Sequence, residues 1–321
     1  MKILLTTTSF QDTPGRHHDL LAGSGHEIIT ARGPLSEQQM LDLIASKGPF
    51  DATLNGDDAF TAAVIDALGP DLRCIAKYGI GLDSIDVPHA TAKKIPVLFT
   101  PGVNHTTVAE HAFGLMIAVA KHFVPHLREV KAGKWKRITG SELGGKTLGV
   151  LGLGRIGQEV VRRAVAFDMT CLAYDVYWDG AFAWKYKVRR AQSPEHVLRE
   201  ADVISLHMPL TDQTRGLINA DRIATMRPGA IVINTARGGL VDESAVADAC
   251  RSGRLAGYGA DVLEHEPIQP PHPFMEIDNI VLTPHVGSRT FESVERQAVR
   301  AVRNVVNYLR GDSDYIQANK T

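Results

Sequence analysis

Three polar residues that suit proton transfer and acid binding each follow a short apolar run in the second half of the chain. They are Arg237 after residues 230–235, Glu266 after 258–262 and His285 after 280–282. A histidine can donate a proton near neutral pH, and a neighbouring carboxylate would favour its imidazolium form and orient it. An arginine can hold a carboxylate by two parallel hydrogen bonds and polarise a carbonyl. The set suits hydride reduction of a 2-oxo acid and needs no metal.

Each of these residues also has an ordinary explanation. Arg237 could cap a surface, Glu266 could be a solvated loop charge, and His285 could be a satisfied core imidazole. Since the carboxyl ends of parallel strands meet at one edge of a sheet, where ligands of such sheets bind, three residues following three strands favour one shared site.

A glycine pattern, G-x-G-x-x-G, lies between an apolar run at 147–151 and a helical pattern. In that context the first glycine permits a tight turn, the second admits a pyrophosphate, and the third lets the helix pack on the strand. The alternative is an ordinary strand-to-helix turn. The predicted phosphate contacts are Gly152, Gly154, Arg155, Ile156 and Gly157.

An acidic residue, Asp175, ends the next apolar run, 18 residues after Gly157. A carboxylate there can accept hydrogen bonds from ribose hydroxyls and would repel a 2′-phosphate. Because Val176 and Tyr177 follow it instead of an arginine, the sequence favours NAD over NADP. The alternative is that Asp175 is only a turn residue at a strand end.

Short β-rich runs alternate with helical patterns along the whole chain, which predicts α/β domains with parallel sheets. We expect a substrate domain from residues 1–100 plus 289–321, a cofactor domain from 101–288, and a ligand cleft between them. A capping box at Thr107 and Glu110 predicts where a buried helix begins. An amphipathic helix over about 291–309 closes the chain, with its arginines predicted to be solvated.

Composition excludes several classes of protein. Hydrophobic residues make up 44% and charged residues 22%, and the formal net charge is −1, so a nucleic acid or an anionic membrane is not an expected partner. The most apolar stretch, 112–120, is too short to span a bilayer. Three widely spaced cysteines indicate no disulfide framework or metal motif and predict a cytoplasmic protein.

The chain resembles the D-isomer-specific 2-hydroxyacid dehydrogenase family over almost its whole length. The resemblance rests on several motifs in order. They are Tyr78-Gly79-Ile80-Gly81-Leu82-Asp83-Ser84-Ile85-Asp86, Val108-Ala109-Glu110-His111, the glycine pattern, Leu206-His207-Met208-Pro209-Leu210-Thr211, Asn234-Thr235-Ala236-Arg237-Gly238-Gly239, Asp261-Val262 through Glu266-Pro267, and Thr283-Pro284-His285-Val286-Gly287.

This resemblance implies a Rossmann domain inserted in a flavodoxin-like domain, and a homodimer joined through the cofactor domain. It implies Arg237 as the substrate anchor, His285 as the acid/base and Glu266 as its partner. Backbone N–H groups at Gly79 and Ile80 would hold the substrate carboxylate, with Asn104 nearby. Further cofactor contacts would come from His207, Pro209, Thr214, Thr235, Ala236, Asp261 and Gly287.

Some residues separate this chain from relatives with other substrates. Glu266 argues against a formate dehydrogenase, which carries Gln there, and Ile80 argues against a phosphite dehydrogenase, which carries Lys. Asp57 and Asp58 would repel a substrate phosphate. Lys77, where many relatives have Arg, could offset them by binding substrate or could be solvated.

Two other functions stay open from sequence alone. One is a dinucleotide-sensing binding protein similar to corepressors of this fold, and the other is a phosphite- or formate-type dehydrogenase. Residues 178–190, with two tryptophans, match no motif, and surface packing is their expected role.

Overall fold

The computed structural model describes all 321 residues and divides them into two compact units. Unit 1 comprises Met1–Asn104 and Arg289–Thr321, and unit 2 comprises His105–Ser288. Each unit is an α/β structure with one parallel sheet. This confirms the predicted fold class.

Unit 1 contains a five-stranded parallel sheet in the order β2-β1-β3-β4-β5. Its strands are β1 (Lys2–Leu5), β2 (Glu27–Thr30), β3 (Ala52–Asn55), β4 (Cys74–Lys77) and β5 (Val97–Leu98). Of the three inner strands, β3 and β4 are buried along their whole length and β1 at all but its first residue, as expected for a parallel sheet covered on both faces.

Six helices cover this sheet. They are α1 (Thr8–Asp12), α2 (Arg16–Ala22), α3 (Glu37–Lys47), α4 (Ala62–Leu68), α5 (Val87–Ala92) and the C-terminal α13 (Phe291–Arg310). The predicted apolar stripe of α13 packs on one face of the sheet, although Phe291 at its start is exposed. Arg300 is half-buried and pairs with Asp314, so the prediction that all its arginines are solvated is wrong for that residue.

Unit 2 contains a seven-stranded parallel sheet in the order β12-β11-β10-β9-β6-β7-β8. Its strands are β6 (Thr147–Leu151), β7 (Thr170–Tyr174), β8 (Arg189–Arg190), β9 (Val203–Leu206), β10 (Ala230–Asn234), β11 (Leu255–Ala260) and β12 (Ile280–Leu282). The chain winds outward from β6 in both directions, the doubly wound arrangement that places a ligand crevice at the carboxyl ends of the strands.

Seven helices pack on the two faces of this second sheet. They are α6 (His105–Ala120), α7 (Phe123–Lys131), α8 (Arg155–Ala166), α9 (Gly180–Tyr186), α10 (Pro194–Glu200), α11 (Ala220–Thr225) and α12 (Glu243–Arg251). Helix α6 is buried, as predicted, and packs on β10 and β11. It begins at His105, however, so Thr107 is a buried residue inside the helix and the predicted capping box is wrong. None of the helices is long and apolar enough to cross a bilayer.

Candidate active site

The three predicted catalytic residues follow three neighbouring strands of the unit 2 sheet. Arg237 lies after β10, Glu266 after β11 and His285 after β12, and these strands are adjacent and parallel. All three residues therefore lie in loops at the same edge of the sheet.

His285 and Glu266 form a direct pair. His285 Nδ1 lies 2.8 Å from Glu266 Oε2, and both side chains remain partly exposed, at 43% and 36%. The second carboxylate oxygen of Glu266 accepts a hydrogen bond from Leu263 N at 2.9 Å, which fixes the carboxylate from its own loop. Since Nδ1 is committed to Glu266, Nε2 is the ring nitrogen that can exchange a proton with a ligand.

The turn that carries Arg237 is held by a buried asparagine. Asn234, the last residue of β10, donates from Nδ2 to Arg237 O at 2.8 Å and accepts from Ala236 N at 3.0 Å. The Arg237 guanidinium donates to Ala236 O at 2.6 Å. The backbone of the arginine turn is thus fixed on both sides by one amide side chain.

A backbone contact joins the arginine turn to the glutamate loop. Gly238 begins a short 3₁₀ turn (Gly238–Leu240), and a Cβ at this position would lie only 1.9 Å from Leu263 C. Only a residue without a side chain fits there, because the obstacle is backbone that cannot move aside cheaply.

The glycine pattern forms an open cradle at the start of α8. Gly152 has a φ of 99°, and Gly157 is packed so tightly that a Cβ would lie 2.0 Å from Gly152 O. A Cβ at Gly154 would instead meet nothing within 4 Å, and no side chain caps α8. The uncapped first-turn N–H groups, which include those of Arg155 and Ile156, and the helix dipole fit a phosphate group.

Asp175 has a structural partner that the sequence did not indicate. Its carboxylate accepts hydrogen bonds from Leu153 N at 2.6 Å, within the glycine loop, and from Tyr177 N at 2.8 Å. It therefore fixes the glycine loop to the end of β7, and its charge lies where a dinucleotide ribose is expected in this fold.

The other predicted cofactor residues lie at the carboxyl edge of the same sheet. His207 donates or accepts through Nε2 with Ser205 Oγ at 2.7 Å, and burial lowers the pKa of its ring to about 3, so it is neutral. Thr214 Oγ1 donates to Pro209 O at 2.8 Å and closes its own loop. Thr235 has a buried hydroxyl without a partner, and Ala236 follows it.

Asp261 and Gly287 meet behind His285. Gly287 N donates to Asp261 Oδ2 at 2.7 Å, and a Cβ at Gly287 would lie 2.8 Å from that oxygen. The open glycine cradle, the uncapped helix and the unpartnered Thr235 hydroxyl together fit a dinucleotide with a polar head group.

In unit 1, Lys77 at the end of β4 is neither solvated nor a simple surface charge. It is 3% exposed, and its ammonium donates to Asp57 Oδ1 at 2.6 Å and to Gly56 O at 2.5 Å. Asp58 is fully buried and accepts from Leu35 N, Gly56 N and the Thr6 hydroxyl. The acids after β3 therefore serve this unit's own loops.

In the predicted substrate loop after β4, the N–H of Gly79 has a partner within unit 1. Gly79 N donates to Thr100 Oγ1 at 2.9 Å, so it would have to exchange that bond to hold a substrate carboxylate, and its role in binding substrate stays a prediction. Ile80 is 38% exposed. Asn104, the last residue of the first segment of unit 1, has a buried Oδ1 atom without a partner.

Residues 178–190 form α9 and the edge strand β8, which the sequence did not predict. Trp178 packs against the unit 2 core and carries Arg190 over its ring at 5.2 Å, whereas Trp184 is 86% exposed. Sequence patterns also missed the roles of Asn234, which is buried, and of His111, which is partly exposed, because a polar residue in an apolar element gives no local sign of its partner.

Comparison with known proteins gives consistent results. Residues 113–287 match the family described as D-isomer specific 2-hydroxyacid dehydrogenase, NAD binding domain. The chain is 38% identical over 295 residues to a glyoxylate reductase of Thermofilum pendens, covering 89% of this chain and 86% of that protein. It is 43% identical over 258 residues to a hydroxypyruvate reductase of Thermotoga maritima, covering 78% and 81%.

Solved structures agree with the fold of the whole chain. A D-lactate dehydrogenase of Aquifex aeolicus, solved with NAD and lactic acid, has a TM-score of 0.83 and 28% identity, covering 97% of this chain and 96% of that one. A Granulicella formate dehydrogenase has a TM-score of 0.86, but at 23% identity it shows the fold alone. The chain belongs to the D-isomer specific 2-hydroxyacid dehydrogenase family and is an NAD-dependent oxidoreductase acting on CH–OH groups.

Proposed function

We propose that the protein reduces a small, unphosphorylated 2-oxo acid to the D-2-hydroxy acid, with His285 as the acid/base. The observation that carries this proposal is the 2.8 Å contact of His285 Nδ1 with Glu266 Oε2. Bound NADH supplies the hydride. The imidazolium of His285 donates a proton from Nε2 to the carbonyl oxygen, while Glu266 stabilises the charged ring and holds its orientation.

Arg237 anchors the carboxylate of the substrate and polarises its carbonyl. The guanidinium is always charged and has donors in a planar fork, which matches a carboxylate in two parallel hydrogen bonds. Gly79, Ile80 and Asn104 keep their predicted roles in binding substrate. Lys77 takes no direct part, because its ammonium is already bound by Asp57 and Gly56 O. The two hydrogen bonds of the Asn234 side chain support this assignment, because they fix the backbone turn from which the Arg237 guanidinium extends.

The substrate is proposed to be of the size of glyoxylate or hydroxypyruvate, the acids named for two relatives. The pairing of Lys77 with Asp57 supports the lack of a phosphate, because the lysine charge is already neutralised at 2.6 Å. A substrate phosphate would have to compete with that carboxylate for the ammonium group.

The cofactor is held by the residues of the glycine cradle, Asp175 and the loops after β9 to β12. Asp175 is proposed to select NADH, because its charge would repel the 2′-phosphate of NADPH. Replacing it as Asp175→Asn keeps an oxygen for Leu153 N and removes the charge. We expect the ratio of kcat/KM with NADH to that with NADPH to fall about tenfold. An unchanged ratio would contradict this role.

The test of the reaction is a substrate panel with NADH. Glyoxylate, hydroxypyruvate, pyruvate and phosphohydroxypyruvate are compared by kcat/KM with purified protein. We expect one of the first two to have the highest value and the phosphorylated acid the lowest. No consumption of NADH with any of them would refute the proposed reaction, and a preference for the phosphorylated acid would refute the proposed substrate class.

A homodimer through unit 2 is the proposed assembly. Helix α7 exposes an apolar face made of Phe123, Val124, Leu127 and Val130, with exposed fractions of 42–59%. Such a row on one helix is typical of a surface buried by a partner. We expect a mass of twice 34.9 kDa by light scattering, a lower mass for Leu127→Glu, and no change for Lys131→Gln on the same helix. A wild-type monomer would refute the dimer.

The protein is proposed to work in the cytoplasm. All three of its cysteines are free and buried, which suits a reducing compartment.

A further inference from the structure

A buried carboxylate behind the catalytic loop gathers four hydrogen-bond donors. Asp261, which is 3% exposed, accepts from Thr283 Oγ1 at 2.6 Å, Val286 N at 2.9 Å and Gly287 N at 2.7 Å. His111 Nε2 is the fourth, at 3.3 Å. Burial opposes ionisation, but the hydrogen bonds from His111, Thr283 and Val286 outweigh it and keep the pKa of Asp261 below its usual value.

The hydrogen-bond role of His111 Nε2 follows from these contacts. Its Nε2 lies 2.8 Å from Thr283 Oγ1 as well as near Asp261. The single hydroxyl proton of Thr283 is used on Asp261 at 2.6 Å, so toward His111 the hydroxyl can only accept. His111 Nε2 therefore carries a hydrogen and donates it to Thr283 Oγ1, with Asp261 Oδ1 as a second, more distant acceptor.

The loop held by this network has an unfavourable backbone conformation. His285 has a φ of 53°, a left-handed conformation that residues with a side chain rarely adopt. Its own N–H donates to Asp261 O at 2.9 Å. The side chain of Asp261 accepts hydrogen bonds from Thr283, which precedes His285, and from Val286 and Gly287, which follow it. The backbone of His285 is therefore held on both sides.

His111 joins this loop to a rigid element. It lies in the second turn of α6, whose neighbouring residues Ala109, Ala112 and Phe113 are buried in the unit 2 core. A donor on a buried helix cannot follow a loop that shifts, so its hydrogen bond resists displacement of Thr283.

We infer that His111 is a positioning residue for His285. Through Thr283 and Asp261 it holds the left-handed turn that presents the imidazole to Glu266, and it touches no reacting atom itself. The inference rests on the proposed acid/base role of His285. It assigns to His111 an effect on the rate of proton transfer and not on cofactor binding.

The test compares His111→Leu, which removes the donor, with His111→Gln, whose amide can place a donor near the same point. We expect His111→Leu to lower kcat roughly 10- to 100-fold, since small misplacements of an acid/base group have effects of that size. The dissociation constant for NADH, from fluorescence titration, should change less than about threefold, and His111→Gln should restore most of the rate. If His111→Leu does not fold, Thr283 offers the same test, because its hydroxyl is the partner of His111. Thr283→Val, which removes the hydroxyl, should lower kcat, and Thr283→Ser, which keeps it, should retain most of the rate.

A second arm separates positioning from a general structural effect. In the background of His285→Ala, adding His111→Leu should leave the residual rate unchanged, because nothing remains to be positioned. An additive loss there, or an unchanged kcat for His111→Leu alone, would overturn the inference. A full rate in His285→Ala itself would instead overturn the proposed function, so the two failures are distinguishable.

Discussion

The two parallel sheets both carry carboxylates just past the ends of their strands, but those carboxylates have different partners. At the edge of the unit 2 sheet, Glu266 binds an imidazole that stays 43% exposed. In the loop after β3 of unit 1, Asp58 is fully buried and binds backbone N–H groups and a hydroxyl. A carboxylate therefore serves chemistry at Glu266 and loop structure at Asp58. The two roles are distinguished by how exposed the site is and by whether the partner is an ionisable ring or a backbone group.

The largest effect should follow from removing the exposed imidazole. His285→Ala should lower kcat by about 10³-fold, since general acid catalysis contributes 10²- to 10⁴-fold. His196→Ala is the matched control, because His196 also pairs with a glutamate, Glu200, at 2.9 Å in unit 2 but on helix α10. Steady-state assays with glyoxylate measure both. Equal rates for the two variants would remove the distinction between a catalytic pair and an ordinary one.

The contact between the arginine turn and the glutamate loop should come next. Gly238→Ala places a Cβ within 1.9 Å of Leu263 C and forces the two loops apart. We expect a loss of about 2–3 kcal/mol in the free energy of unfolding, by urea titration, together with a clear loss of kcat. Gly180→Ala, whose Cβ would meet only Trp178 at 4.0 Å, is the control. A stable, active Gly238→Ala protein would show that the loops are not coupled there.

In unit 1 the buried acid should matter for stability. Asp58→Ala leaves buried donors unsatisfied and should lower the free energy of unfolding by about 2 kcal/mol. Asp57→Asn, which alters a carboxylate that is 71% exposed and keeps an oxygen for the buried Lys77 ammonium, should cost less. Urea titration of both variants measures the difference. The reverse order would mean that the assignment of the two acids is wrong.

The smallest effect is expected at Lys77. Its ammonium is already bound by Asp57 and Gly56 O, so Lys77→Met should change the KM for glyoxylate less than about threefold. A rise in KM of tenfold or more, with an unchanged fold by circular dichroism, would instead make Lys77 a direct substrate ligand.

Sequence patterns predicted Arg237, Glu266 and His285 at the edge of the unit 2 sheet, because each follows a strand that can be recognised from its own apolar run. β6 and β12 have the predicted bounds, 147–151 and 280–282, for the same reason. The edge strand β8, Arg189–Arg190, was missed because it is exposed and has no apolar pattern. The start of α6 was placed three residues late, since the loop before a helix decides where it begins.

Partners distant in sequence could not be predicted in this way. The pairing of Lys77 with Asp57 spans 20 residues, and that of His111 with Thr283 spans 172. Neither leaves a local sign in the residues themselves. The candidate site was therefore predictable as a set of residue types, whereas the hydrogen bonds that orient them required the folded chain.

The central claim is that Glu266 stabilises the imidazolium of His285 as the proton donor. The most direct test is the pH dependence of kcat/KM for glyoxylate reduction in the wild type and in Glu266→Gln. Reduction needs the protonated ring, so kcat/KM declines as pH rises; without the carboxylate charge the ring loses its proton more readily, and the decline should move to lower pH. A decline at the same pH in both proteins would contradict the claim.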